Sequence, residues 1–130
     1  GPFDFTDFHT LAERIGQPDD QLLAAGGYDH NFVLDKAPGA LAVAAVLKGE
    51  KTGITLTCST TCPGMQLYTA NSMDPNAAPG KWGRVHRSRE AVCLETQYFP
   101  NYNNHPEFPQ PLLRAGEEAH EVTVYAFSAE

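Results

Sequence analysis

The chain has 130 residues, 42% of them apolar and 19% charged, and a formal charge of -7. That length suits one domain of ordinary size with a packed core, and the composition does not suit a disordered chain. An acidic chain without basic runs is a poor ligand for nucleic acid or anionic membranes, and no apolar run approaches the roughly 20 residues that span a bilayer.

In chain order, residues 1–30 read as irregular. Thr10 with Glu13 predicts a capping box for a single helical turn that Gly16 ends. Asp19 predicts the cap of a second short turn, residues 20–25, closed by Gly26 and Gly27. From residue 31 the pattern turns to strands. Residues 31–34 form a short apolar run. Residues 40–48 and 53–60 are separated by a Gly-containing loop, which predicts a hairpin. In the second of these strands Ile54, Leu56 and Cys58 share one face and Thr55, Thr57 and Ser59 the other, the alternation of a half-buried antiparallel strand. Further strands are expected over 65–70, 91–99 and 120–127. In the last, Val122, Val124 and Ala126 alternate with Thr123, Tyr125 and Phe127.

Two connections, 71–90 and 100–118, are long and rich in proline and glycine. Such loops are usually functional or wrapped over a surface. Strands this numerous and this far apart in sequence predict a mainly β fold, an antiparallel β-sandwich, and not a parallel α/β sheet.

The three cysteines, Cys58, Cys62 and Cys93, are an odd set without a dense framework, which predicts reduced thiols and a cytoplasmic setting. Cys58 and Cys62 lack the matching Cys/His pair that a zinc site needs, so no metal is expected. No segment resembles a signal peptide. The start, Gly-Pro in place of Met, predicts a processed, tagged or fragmentary chain.

Three polar clusters carry the candidate chemistry. In the 91–99 strand, Cys93, Glu95, Gln97 and Phe99 point one way, and Leu94, Thr96 and Tyr98 the other. Glu95 is either an ordinary solvent-facing strand residue or, if its face looks inward, a carboxylate in a partly apolar site suited to general-base work. No lysine or arginine in the run neutralises it. The second cluster is "GGYDHNFVL" (26–34), where Asp29 and His30 lead into a strand. Turn chemistry competes there with a binding role. In the third, "PGMQLYTAN" (63–71), Gln66 follows a Pro-Gly turn, and its amide both donates and accepts, as a sugar hydroxyl requires.

These stretches, together with "PFDF" (2–5), "CLETQYFPNYNNHPEFP" (93–109) and "LLRAGEEAHEVTVYAF" (112–127), resemble in order the motifs of the aldose 1-epimerase (galactose mutarotase) family. The resemblance implies a large antiparallel sandwich, the galactose mutarotase-like supersandwich. Residues 1–130 would be a single C-terminal segment of it, so that the sandwich is present only in part. It implies interconversion of the α and β anomers of free aldohexoses such as galactose and glucose, with no cofactor. Glu95 would be the general base, and Asp29 and Gln66 would hold sugar hydroxyls. His30 and His105 match motif residues, but neither matches the catalytic acid.

The family's catalytic histidines lie upstream of the segment that matches "PFDF". The resemblance therefore implies that an N-terminal half, in the same chain or as a separate one, supplies the acid and the strands that would cover this one's edges. Two alternatives stand beside this reading. One is a non-catalytic carbohydrate-binding fragment or module of the same fold. The other is a hexose-6-phosphate 1-epimerase, for which only Arg84, Arg87 and Arg89 are grouped.

Overall fold

The computed structural model describes residues 1–129. Two short helices, α1 (Leu11–Arg14) and α2 (Asp20–Ala25), precede six strands: β1 (Asp29–Val33), β2 (Ala42–Lys48), β3 (Ile54–Thr60), β4 (Gly64–Tyr68), β5 (Cys93–Gln97) and β6 (Thr123–Ala129). The strands form two three-stranded sheets, ordered β1-β4-β5 and β2-β3-β6. The fold is mainly antiparallel β, as the alternation predicts. Every expected strand is present, with ends moved by at most three residues. The chain divides into two compact units. One is Gly1–His30 with Leu67–Cys93, and the other is Asn31–Gln66 with Leu94 onward.

In the first unit the two helices treat their caps differently. Asp19 caps α2 as expected, its carboxylate accepting from the backbone N–H groups of Gln21 and Leu22. Gly26 ends the helix in the left-handed region at φ 68°. The capping box of α1 does not form. Thr10 makes no side-chain cap, and Glu13 turns instead to His9, with Oε2 3.2 Å from Nδ1. A helix of four residues presents too little structure to hold the reciprocal pair. Arg14 stabilises the start of the chain by donating to the carbonyls of Gly1 and Asp4 at 2.9 and 2.6 Å, with its guanidinium 5.2 Å from the Phe5 ring centre. Tyr28 is fully buried, with the rings of Phe3 and Phe5 edge-on to its own. Its hydroxyl donates to the Pro2 carbonyl at 2.8 Å, and desolvation pushes the phenol's pKa up.

In the second unit β2 and β3 form the expected hairpin, with Lys48 opposite Thr55 and one irregularity between Val43 and Ala45. β6 pairs with the other side of β3, from Thr60↔Thr123 to Ile54↔Ala129. Cys58 and Thr60 of this central strand are buried, whereas every residue of β6 is exposed, including Val124, Tyr125 and Phe127. A central strand is covered by its neighbours, and an edge strand presents an unpaired row of backbone groups. The three cysteines are free thiols. Cys58 and Cys62 are buried, and burial pushes the Cys58 thiol up. No helix among the described residues is long and apolar enough to cross a membrane.

Candidate active site

β5 is held from one face and leaves the other open. On the first side three contacts run along it in sequence, one to Glu121 just before β6 and two to Thr123 and Tyr125 within β6. The Tyr98 hydroxyl donates to Glu121 Oε1 at 2.8 Å. The hydroxyls of Thr96 and Thr123 meet. The Tyr125 hydroxyl donates to the Leu94 carbonyl at 2.7 Å. Tyr98 and Thr96 contribute side chains from one face, because side chains at i and i+2 of a strand share a face, and Leu94 contributes its main-chain carbonyl. Glu121 is the anchor of this row. It also accepts from the Thr61 hydroxyl, and the bonds from Thr61 and Tyr98 together hold its carboxyl below the usual carboxylate range. The same bond raises the pKa of Tyr98, since ionising the phenol would remove the donor.

The opposite face carries Glu95 and Gln97, so the face reading of the strand holds and its environment does not. Glu95 is exposed and Gln97 half-buried. This chain alone does not enclose the carboxylate in a partly apolar site. Gln97 is joined to Gln66. Its Nε2 donates to Gln66 Oε1 at 3.2 Å and to Asn31 Oδ1 at 3.1 Å. Three amides from β1, β4 and β5 thus meet on the face that bears Glu95. Gly64 makes room for them. A Cβ at that position would lie 2.6 Å from Asn31 Oδ1 and 2.9 Å from the Phe99 ring. Neither Gln97 nor Asn31 is singled out by the sequence reading, although both lie inside its motifs. The available signal was the spacing of Gln97, two residues beyond Glu95.

Asp29 belongs to the first unit, at the exposed start of β1. The corner before it is tightly specified. Asn71 Nδ2 donates to the carbonyls of Ala25 and Tyr28 at 3.2 and 2.9 Å. The Tyr28 N–H donates to Thr69 Oγ1 at 3.1 Å. Gly27 has φ 146°, and a Cβ there would strike Asn71 Oδ1 at 2.4 Å. Gly27 is therefore a packing requirement, while Gly26 is the helix stop. His30 is committed to local structure. Its Nδ1 accepts from the Asp29 N–H at 3.0 Å, and its ring packs edge-on to Phe3 at 4.6 Å.

His105 is likewise engaged in its loop, with Nδ1 2.9 Å from Glu107 Oε1 and its ring stacked on Phe108 at 4.7 Å. Gln110 closes that loop, its Nε2 donating to the carbonyls of Tyr102, His105 and Phe108 at 3.0, 2.9 and 2.9 Å. Phe108 in turn packs edge-on against Phe99, the ring that lies over Gly64. A groove of about 230 Å³ in the first unit, beside Leu11, Ile15 and Val92, includes none of Asp29, Gln66 or Glu95. Among the described residues no cluster of His, Cys, Asp or Glu is arranged to hold a metal.

Comparison with known proteins bears on what this face does. The family model described as aldose 1-epimerase matches residues 1–126. Aldose 1-epimerase of Escherichia coli (strain K12) is 34% identical over 130 residues, covering 98% of this chain and 37% of that protein. Galactose mutarotase of Mus musculus is 41% identical over 102 residues, covering 78% of this chain and 29% of the mouse protein. Among solved structures, the crystal structure of the GalM/aldose epimerase homologue from C. elegans matches with a TM-score of 0.81 at 27% identity, over 98% of this chain and 37% of that one. The chain spans about a third of the length of the curated relatives it matches.

Proposed function

The chain belongs to the aldose 1-epimerase family, and from that premise we propose that it supplies the general base and part of the sugar site of an enzyme interconverting the anomers of free hexoses such as galactose and glucose. The observation that carries this reading is the asymmetry of β5. One face is fastened by Tyr98, Thr96 and the Leu94 carbonyl, and the other presents an exposed carboxylate, Glu95, beside a set of amides. A fastened strand gives a base a fixed position, and exposure leaves it open to a substrate.

In the proposed reaction Glu95 takes the proton of the C1 hydroxyl, the bond from C1 to the ring oxygen breaks, and a general acid protonates that oxygen. The open aldehyde rotates about C1–C2 and closes to the other anomer. No electron and no group is passed to a cofactor. Asp29 and Gln66 hold sugar hydroxyls. The acid is not assigned to His30 or His105, since neither matches the family's catalytic acid.

The test is polarimetry on freshly dissolved α-D-galactose, with this chain alone and with it replacing the matching segment of the Escherichia coli enzyme. The grafted protein should accelerate mutarotation. Glu95→Gln should lower that rate by roughly 10²–10⁴, the usual share of one positioned acid or base, and leave galactose binding intact. Full activity in Glu95→Gln would remove Glu95 as the base. Loss of sugar binding together with the rate would make Glu95 a sugar-binding residue and not the base.

A further inference from the structure

A glutamine that binds a sugar has two ends, and they ask different things of the ligand. The carbonyl accepts from a hydroxyl hydrogen, and the amide nitrogen donates to a hydroxyl oxygen. In solution the side chain turns freely between the two. In this protein it does not, because Gln97 Nε2 donates to Gln66 Oε1 at 3.2 Å.

Gln97 is itself held. Its second contact, to Asn31 Oδ1 at 3.1 Å, is made by the same nitrogen, so one end of the Gln97 amide meets both carbonyl oxygens. Asn31 is on β1 and Gln97 on β5, with β4 between them in the sheet. The contact crosses β4 on the face shared by Gly64 and Gln66, two residues apart on one strand. It passes where Gly64 has no side chain. A Cβ there would sit 2.6 Å from Asn31 Oδ1 and 2.9 and 3.0 Å from two atoms of the Phe99 ring. The missing side chain, the Asn31 carbonyl, the Gln97 amide and the Gln66 carbonyl form one chain of dependence.

We propose that Gln97, seated by Asn31 in the space Gly64 leaves, is a positioning residue that fixes the polarity of Gln66, so that Gln66 meets the sugar as a donor through Nε2 and recognises a hydroxyl oxygen. This rests on the reading of Gln66 as a sugar-binding residue. An amide is planar, so holding Oε1 towards β5 turns Nε2 the other way. That nitrogen carries two hydrogens, which allows it to serve a sugar along with any other acceptor. Gln97→Glu reverses the arrangement. A carboxylate only accepts, so it draws Gln66 Nε2 and turns Oε1 outward.

The test uses the side-chain amide spectrum of the ¹⁵N-labelled chain. In the unsubstituted protein the Gln97 Nε2 protons should exchange with solvent about tenfold more slowly than those of a free glutamine side chain. Gln66→Met should release one of them and Asn31→Leu the other. Exchange at the free rate in the unsubstituted protein overturns the proposal, whatever the variants do. In the ¹⁵N-labelled protein in which this chain replaces the matching segment of the Escherichia coli enzyme, D-galactose should then shift the Gln66 Nε2 resonances, and the sugar measurements that follow use that protein. Galactoses with single hydroxyls replaced by fluorine, which accepts weakly and never donates, read the polarity. The sugar fluorinated at the Gln66 contact should lose about tenfold more affinity, relative to galactose, in Gln97→Glu than in the unsubstituted chain. An unchanged ranking overturns the donor assignment. If Gln97 is protected but galactose leaves Gln66 unmoved, the sugar reading of Gln66 fails and the donor role falls with it.

Discussion

The two faces of β5 are built from residues that alternate along one short strand and do opposite things. Leu94, Thr96 and Tyr98 contribute a carbonyl and two hydroxyls, and each meets a partner between residues 121 and 125. Glu95 and Gln97 contribute a carboxylate and an amide. Gln97 is bonded to two side chains from neighbouring strands, and Glu95 is exposed. The difference shows how a short strand serves both scaffold and site. Alternation separates the two tasks, so that fastening one face does not occupy the groups on the other.

Four substitutions or conditions break or sharpen this contrast, in descending order of expected effect. Glu95→Gln strikes only the open face. Turnover of the grafted enzyme should fall by roughly 10²–10⁴, with the unfolding midpoint of the chain in urea unchanged. A fall in stability equal to that of a face-one variant would show that the faces are not independent. Gly64→Ala strikes the support of the open face. The added Cβ meets Asn31 Oδ1 and the Phe99 ring, so it should cost about 1–3 kcal/mol by overpacking and release the Gln97 amide protons, both read on one labelled sample. Stability equal to the parent protein would mean that Asn31 and Phe99 move aside freely.

Tyr98→Phe strikes the fastened face. It removes one bond to Glu121, and denaturant titration should show a loss of about 0.5–1 kcal/mol. That lies below the roughly 1.5–3 kcal/mol of a bond to a charged group, because Glu121 is exposed. The smallest effect is on acid stability. The Glu121 pKa is lowered, first by Thr61 and then by Tyr98. Its contribution is present above the ordinary glutamate value of 4.5 and is lost as pH falls through the lowered folded value. Thr61→Val and Tyr98→Phe should each flatten the acid limb of the stability curve, whereas Gln97→Leu should not. An equal response in all three would assign the acid limb to other carboxylates.

The strands and their alternation were legible because each is a local pattern of period two. That pattern also placed Glu95 and Gln97 on one face. The exposure of Glu95 was not legible, since it depends on what covers the strand and not on the strand. The bond from Gln97 to Asn31 joins residues 66 apart in sequence. It also requires the absence of a side chain at Gly64, which reads locally as a turn residue after Pro63. Asp19 was read correctly as a cap because its partners are two and three residues away. The Thr10–Glu13 box has equally good spacing, but its helix is only four residues long and His9 competes for the glutamate.

Gln110 fastens its loop through the main-chain carbonyls of Tyr102, His105 and Phe108. A bond to a carbonyl does not read the identity of the residue that bears it. The spacing of those three carbonyls is therefore fixed by one side chain, so a single deletion cannot be absorbed, whereas His105 and Phe108 are fixed by their own ring contacts. In homologous proteins that retain this closure, the segment between Tyr102 and Gln110 should hardly vary in length, and its variation in composition should fall on positions other than His105 and Phe108.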